Sequence, residues 1–200
     1  MSLGHLAAFL GVSLVVIVTP GQDTALTIRN TLTAGRRGGV LTALGVVSGQ
    51  LTWAVGASAG LSAVLLASRP VFTALRLLGA AYLVLLGAQA IVAAVRGRSA
   101  HEGGQARRRA AYRQGVLSNL GNPKMVVFFT SLLPQFAASF GGMLVLGIVF
   151  ASLTMTWLTF YAFAVARARA ALMRTRVRRV FDTLAGLVLV SFGLRLAAER

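Results

Sequence analysis

The chain contains no cysteine, which excludes disulfides, thiolate metal sites and cysteine nucleophiles. Acidic residues are almost as scarce: Asp23, Glu102, Asp182 and Glu199 are the four, beside two histidines, His5 and His101. No metal-ligand cluster and no nucleophile–base pair can be assembled from them, so the expectation is a protein that is not an enzyme and carries no metal. Also missing are a Gly-x-x-x-x-Gly-Lys-Ser/Thr phosphate loop and a soluble domain large enough to hydrolyse ATP. The N-terminus has neither a basic leader nor a small-residue cleavage signal, so its apolar run is expected to be a retained span.

What the chain has in quantity is apolar length. Hydrophobic residues make up 56% of the 200 positions and the mean hydropathy is +0.77. Residues 1–22, 38–68, 77–95 and 125–166 carry no charge, and each approaches or exceeds the ~20 residues that cross hydrocarbon. The last run, 42 residues long, must hold two spans, with Phe140-Gly141-Gly142 as the expected divide. The reading is an all-α membrane protein with six transmembrane helices at about 3–28, 40–67, 71–95, 115–137, 143–166 and 180–198. Arg76 in the third, and Asp182 and Arg195 in the sixth, lie near span ends from which side chains can snorkel to water.

A net charge of +16 raises nucleic acid as a partner, but the distribution argues against it. Fifteen of the twenty basic residues fall in the first, third and fifth connectors, led by Arg29, Arg36 and Arg37, then Arg96 to Arg113, then Arg167 to Arg179. The second connector has Arg69 alone and the fourth has no charge. Positive charge marks the cytoplasmic side. The expected location is therefore the cell inner (plasma) membrane, with both termini outside and the arginines against anionic lipid.

Six spans divide into three and three, and an odd-numbered half must be inverted relative to its partner. Ser48-x-x-x-Thr52-Trp53 in the second span is matched by Ser152-x-x-x-Thr156-Trp157 in the fifth, 104 residues on. Pro20 and Pro123 are 103 apart, and Val71-Phe72-x-x-Leu75 and Val180-Phe181-x-x-Leu184 are 109 apart. Offsets this similar point to two inverted three-helix repeats, about 1–98 and 112–200. A basic cytoplasmic loop, 96–114, joins them into one transmembrane domain, 1–200.

Both prolines interrupt a span, the first and the fourth. The breaks read Thr19-Pro20-Gly21-Gln22-Asp23 and Asn119-Leu120-Gly121-Asn122-Pro123-Lys124. Asp23 and Lys124 are the charges that fall well inside a span, at a cost of roughly 2.5 to 3.5 kcal/mol each on insertion scales. Pro20 precedes Arg29 by nine residues and Pro123 follows Gln114 by nine, so both breaks sit ~13 Å from the cytoplasmic boundary, near the midplane. Proline removes a backbone donor, and the freed carbonyls are tolerated in a membrane where they face protein or a water-filled cavity. Paired broken helices point to a transport site. The candidate site residues are Pro20, Gly21, Gln22, Asp23, Asn119, Asn122, Pro123 and Lys124. Asp23 and Lys124 could equally form a fixed salt bridge that locks the two spans together.

Gln50, Trp53, Thr156 and Trp157 are polar or amphipathic residues at membrane depth and are candidates for lining the path. Gly45-x-x-x-Gly49 and Gly56-x-x-x-Gly60 read as close helix contacts within one chain or in a homodimer.

These motifs resemble those of the LysE/RhtB-type amino-acid exporter family. The family's span-one break corresponds to Thr19-Pro20-Gly21-Gln22-Asp23, and its glycine–arginine connector to Gly35-Arg36-Arg37-Gly38-Gly39 before Ala43-Leu44-Gly45. Gly79-Ala80-Ala81-Tyr82-Leu83, Asn122-Pro123-Lys124 and Leu133-Pro134-Gln135-Phe136 follow in order. Gln22 stands where the family usually has a second proline, which leaves two readings: a less rigid break, or an extra hydrogen-bonding amide. The resemblance implies a secondary exporter of amino acids or closely related small zwitterionic metabolites, driven by proton antiport and using no cofactor. A passive channel or facilitator and a non-transporting membrane scaffold subunit are the alternative readings of the residues themselves.

Overall fold

The computed structural model describes residues 3–60 and 104–172, together with positions 77, 81, 84, 85, 88, 91, 92, 183, 184, 187–191, 194 and 195. Every element formed by the described residues is helical: α1 (Leu3–Val18), α2 (Gln22–Ser58), α3 (Gly104–Leu120), α4 (Pro123–Val127), a π-helical turn (Phe128–Leu132), α5 (Leu133–Phe136) and α6 (Phe140–Leu172). The expected third and sixth spans fall largely outside the described residues. So do the Val71-Phe72 and Val180-Phe181 match, most of the Gly79–Leu83 run, and residues 96–103.

The two described stretches share one order: helix, break, helix, turn, long helix. In the first, α1 stops before Pro20, whose missing N–H would have paired with Val16 O. The chain resumes at Gln22 and runs to Gly35, where φ is +73°. Glycine adopts that angle without the steric cost a side chain would meet. There the chain folds back on itself. Asn30 Nδ2 donates to Thr42 Oγ1 at 2.9 Å across twelve residues, which a straight helix would hold about 18 Å apart. A Cβ on Gly38 would stand 2.6 Å from Asn30 O, so the hairpin closes only with glycine there. The helix that follows the first break therefore continues past 28 to this hairpin, and α2 contributes two arms, 22–34 and 36–58.

In the second stretch α3 begins at Gly104, so residues 104–114, expected as loop, are helix. Their arginines and alanines are good helix formers, and a helix can extend past the hydrocarbon into water. The turn expected at Phe140-Gly141-Gly142 lies instead at 137–139, between α5 and α6. Ser139 decides the position, because its Oγ accepts the Gly142 N–H at 3.2 Å and caps α6. The π-helical turn directly precedes Pro134; its wider winding relieves the clash of the proline ring with the preceding carbonyls.

Glycine lets the 36–58 arm press against α3. A Cβ on Gly45 would lie 2.1 Å from Tyr112 O, and one on Gly115 2.3 Å from Thr42 O. Gly45 and Gly49 thus make a close helix contact within the chain, whereas Gly60 has open space around it. On the other side of the breaks, an aromatic cluster fills the core. Phe128 and Phe150 stack at 4.0 Å, and Phe9 meets Phe136 edge-on at 5.5 Å. Among the described residues, Gln22–Ser58 and Phe140–Ala168 are long and apolar enough to cross a membrane.

Candidate functional site

The two breaks meet, and each supplies what the other lacks. At the first, Val16 O has lost its donor to Pro20, and Thr19 O stands beyond the end of α1. Lys124, from the second break, donates its Nζ to both, at 2.9 and 3.0 Å. The ammonium therefore caps the negative end of the α1 dipole. At the second break, Pro123 cannot serve Asn119 O, so the Asn122 N–H turns back to it at 3.0 Å. That leaves Ser118 O for the Gln22 side-chain amide, which donates to it. Gln22 is thus the hydrogen-bonding amide of the two readings left open by the sequence.

Asp23, in the first turn of α2 and buried, projects its carboxylate into the second break. Ser118 Oγ donates to Oδ1 at 2.9 Å, and Asn119 Nδ2 and Asn122 Nδ2 each donate to Oδ2 at 3.0 Å. Three neutral donors replace the lost hydration of a buried charge. Asn122 also caps α4, accepting the Lys124 N–H at 3.1 Å. Among the described residues, no ion pair joins Asp23 to Lys124. The fixed salt bridge is therefore absent, and each charge is held by the opposite break instead.

Between them is a cavity of ≈ 20 Å³, about the room one water needs. Gly21, Asp23, Gln50, Asn122, Lys124 and Thr154 are among its polar lining, and Ile17, Phe150, Trp157 and Leu158 among its apolar lining. Of the expected path-lining residues, Gln50 and Trp157 meet the cavity. Trp53 is buried in the aromatic core. Thr156 is on the outer face, its Oγ1 donating back to Ser152 O at 3.0 Å; Thr154, two residues earlier, takes the inward position. Pro20 and Pro123 shape the breaks without touching the cavity.

Two contributors were not among the sequence candidates. Ser118 adjoins Asn119, and the polar run Ser118-Asn119 was its available signal. The Val16 carbonyl was implied by Pro20 four residues on, but no side-chain pattern marks a backbone acceptor. Away from the cavity lining, Phe9 packs against Phe128 and Phe136, and Asn30 Nδ2 donates to Thr42 Oγ1 and to Gln114 Oε1, the latter at 3.0 Å.

Comparison with known proteins shows the family to which the chain belongs. The uncharacterized membrane protein YrhP of Bacillus subtilis (strain 168) is 30% identical over 203 residues, covering 95% of this chain and 97% of its own length. A leucine efflux protein of Enterobacter sp. (strain 638) is 28% identical over 190 residues, covering 92% and 90%. An uncharacterized membrane protein of Vibrio cholerae is 37% identical over a shorter 134 residues, covering 64% and 63%. No solved structure matches the chain. Residues 14–200 match the family described as LysE type translocator, and with nearly the whole chain inside that match, this is a membrane protein of the LysE translocator family, a family of transporters rather than enzymes.

Proposed function

We propose that this protein is a secondary active exporter of amino acids or closely related small zwitterions, working by proton antiport, with its substrate site at the two broken helices. The observation that carries the reading is the reciprocal satisfaction of the breaks around one cavity that holds both a carboxylate and an ammonium. A zwitterion needs both signs within a few ångströms. Lys124 has three donors and uses two on α1, so one remains for a substrate carboxylate. Asp23 keeps acceptor capacity beyond its three donors for a substrate ammonium, or for the coupled proton. The apolar wall suits an uncharged side chain, in keeping with the leucine efflux proteins among its relatives.

The arrangement behind this reading is six spans in two inverted three-helix repeats, in the inner membrane, with both termini outside and the arginine-rich connectors against anionic lipid at the cytoplasmic face. Fifteen of twenty basic residues in alternate connectors support the orientation. The Gln50–Thr154 hydrogen bond joins positions 104 apart, the spacing of the tryptophan motif, and supports the repeat. A cavity sized for water belongs to a closed state, so the cycle requires one end to open toward the cytoplasm and the other toward the outside.

Purified protein in liposomes, preloaded with labelled leucine, tests the proposal. Efflux should accelerate when an inward proton gradient is imposed. Efflux indifferent to the gradient would leave a passive facilitator, and no amino-acid flux of any kind would leave a scaffold.

A further inference from the structure

Gln50 is buried to 1% exposure and lines the same cavity as Asp23 and Lys124. Its orientation is fixed by a chain of bonds. The Thr154 hydroxyl donates its one hydrogen to Phe150 O at 3.0 Å, so Thr154 Oγ1 can only accept from Gln50. The Gln50 amide nitrogen supplies that bond at 3.2 Å and also reaches Met125 Sδ at 3.6 Å. With the nitrogen held there, the amide cannot flip without losing both contacts. Gln50 Oε1 is then a buried acceptor with no hydrogen-bond partner among the described residues. Leaving such an oxygen unsatisfied is costly in a near-dry interior, and buried polar atoms of this kind call for an explanation.

We infer that Gln50 Oε1 is an acceptor for the substrate's ammonium group, held in register by Thr154 as a positioning residue. This deepens the exporter reading and rests on it. An ammonium carries three donors and cannot be held by Asp23 alone, whose carboxylate already takes three bonds. Two α1 carbonyls nearby, Val16 O and Thr19 O, are occupied by Lys124. Gln50 Oε1 supplies a neutral acceptor from a residue that lines the same cavity. It thereby selects for a primary amine without adding a second negative charge to the site.

The test uses the full chain in detergent and two probes that differ only at the α-position: L-leucine and its 2-hydroxy analogue, 2-hydroxy-4-methylpentanoate. Calorimetric titration gives an affinity for each. Gln50→Met keeps the volume and removes the oxygen; leucine affinity should fall about 10- to 100-fold, the range expected for a lost bond to a charged group. Affinity for the hydroxy acid should change by less than about 3-fold. Thr154→Val, which frees the amide to turn, should weaken leucine by about 3- to 10-fold, with Thr154→Ser restoring it. Should Gln50→Met not fold, Thr154→Val and its rescue carry the same comparison. An equal loss for both probes would make Gln50 a packing residue and overturn the inference. Failure of the wild-type protein to bind leucine while binding no other amino acid would instead remove the exporter reading itself.

Discussion

The break at Pro20 is closed by a charged donor, and the break at Pro123 by a neutral one. Lys124 covers two carbonyls of the first; Gln22 covers one of the second. The carboxylate runs the other way: Asp23 belongs to the first break and collects its donors from the second. Each proline thus opens a gap filled from the opposite segment, and neither half can satisfy its own backbone. The lesson is that the breaks are one unit. A charge in hydrocarbon is tolerated when its partners are fixed dipoles, and the partner segment supplies them. The asymmetry also leaves the ammonium and the carboxylate on separate supports.

Substitutions can break this exchange in order of severity. Asp23→Ala is expected to be the most damaging, because Ser118, Asn119 and Asn122 would each lose their acceptor, at about 1–3 kcal/mol per buried donor. Chemical denaturation in mild detergent would measure the loss. Asp23→Asn keeps one acceptor oxygen and should fold better, yet abolish proton-driven efflux; normal efflux with an unchanged pH profile would eliminate Asp23 as ligand or proton carrier. Next comes Lys124→Met, which uncovers Val16 O and Thr19 O and should cost about 2–4 kcal/mol on the same scale, along with transport.

Gln22→Leu exposes one carbonyl and should cost about 1–3 kcal/mol, less than Lys124→Met. Gln22→Pro sharpens the comparison, since proline is well placed at the first position of a helix. It should lose the Ser118 bond and little else, so the two Gln22 substitutions should match within about 1 kcal/mol. A much greater loss for Gln22→Pro would mean that the start of α2 needs its own N–H. The smallest effect is expected for Thr156→Val, on the outer face, at within about 0.5 kcal/mol and with unaltered efflux. A strong transport defect there would return Thr156 to the path.

Much of the site was legible before any coordinates. Pro20, Pro123, Asp23 and Lys124 announce themselves because proline and charge are anomalies in an apolar run, and the arginine spacing placed both breaks at one depth. The Ser-x-x-x-Thr-Trp repeat was informative in register but not in face. Of Thr154 and Thr156, both polar and at membrane depth, the one that lines the cavity is Thr154, at a variable position of the repeat. Helical rotation of 100° per residue separates those two, and only packing decides which turns inward. The extension of α3 over 104–114 was hidden by its charge, since a helix that leaves the bilayer no longer shows hydropathy.

By itself the sequence determined that the chain crosses a membrane, where its helices break, and which charges sit beside the breaks. Those are properties of backbone chemistry and local composition. Tertiary structure alone decided who answers whom: that Lys124 caps α1, that Gln22 serves Ser118, and that Asp23 is held by three neutral donors rather than by Lys124. Hydrogen bonds across 95 to 108 residues depend on distances that no local pattern encodes. They form because an orphaned carbonyl in a dry interior takes the nearest available donor, and the fold sets which donor is near.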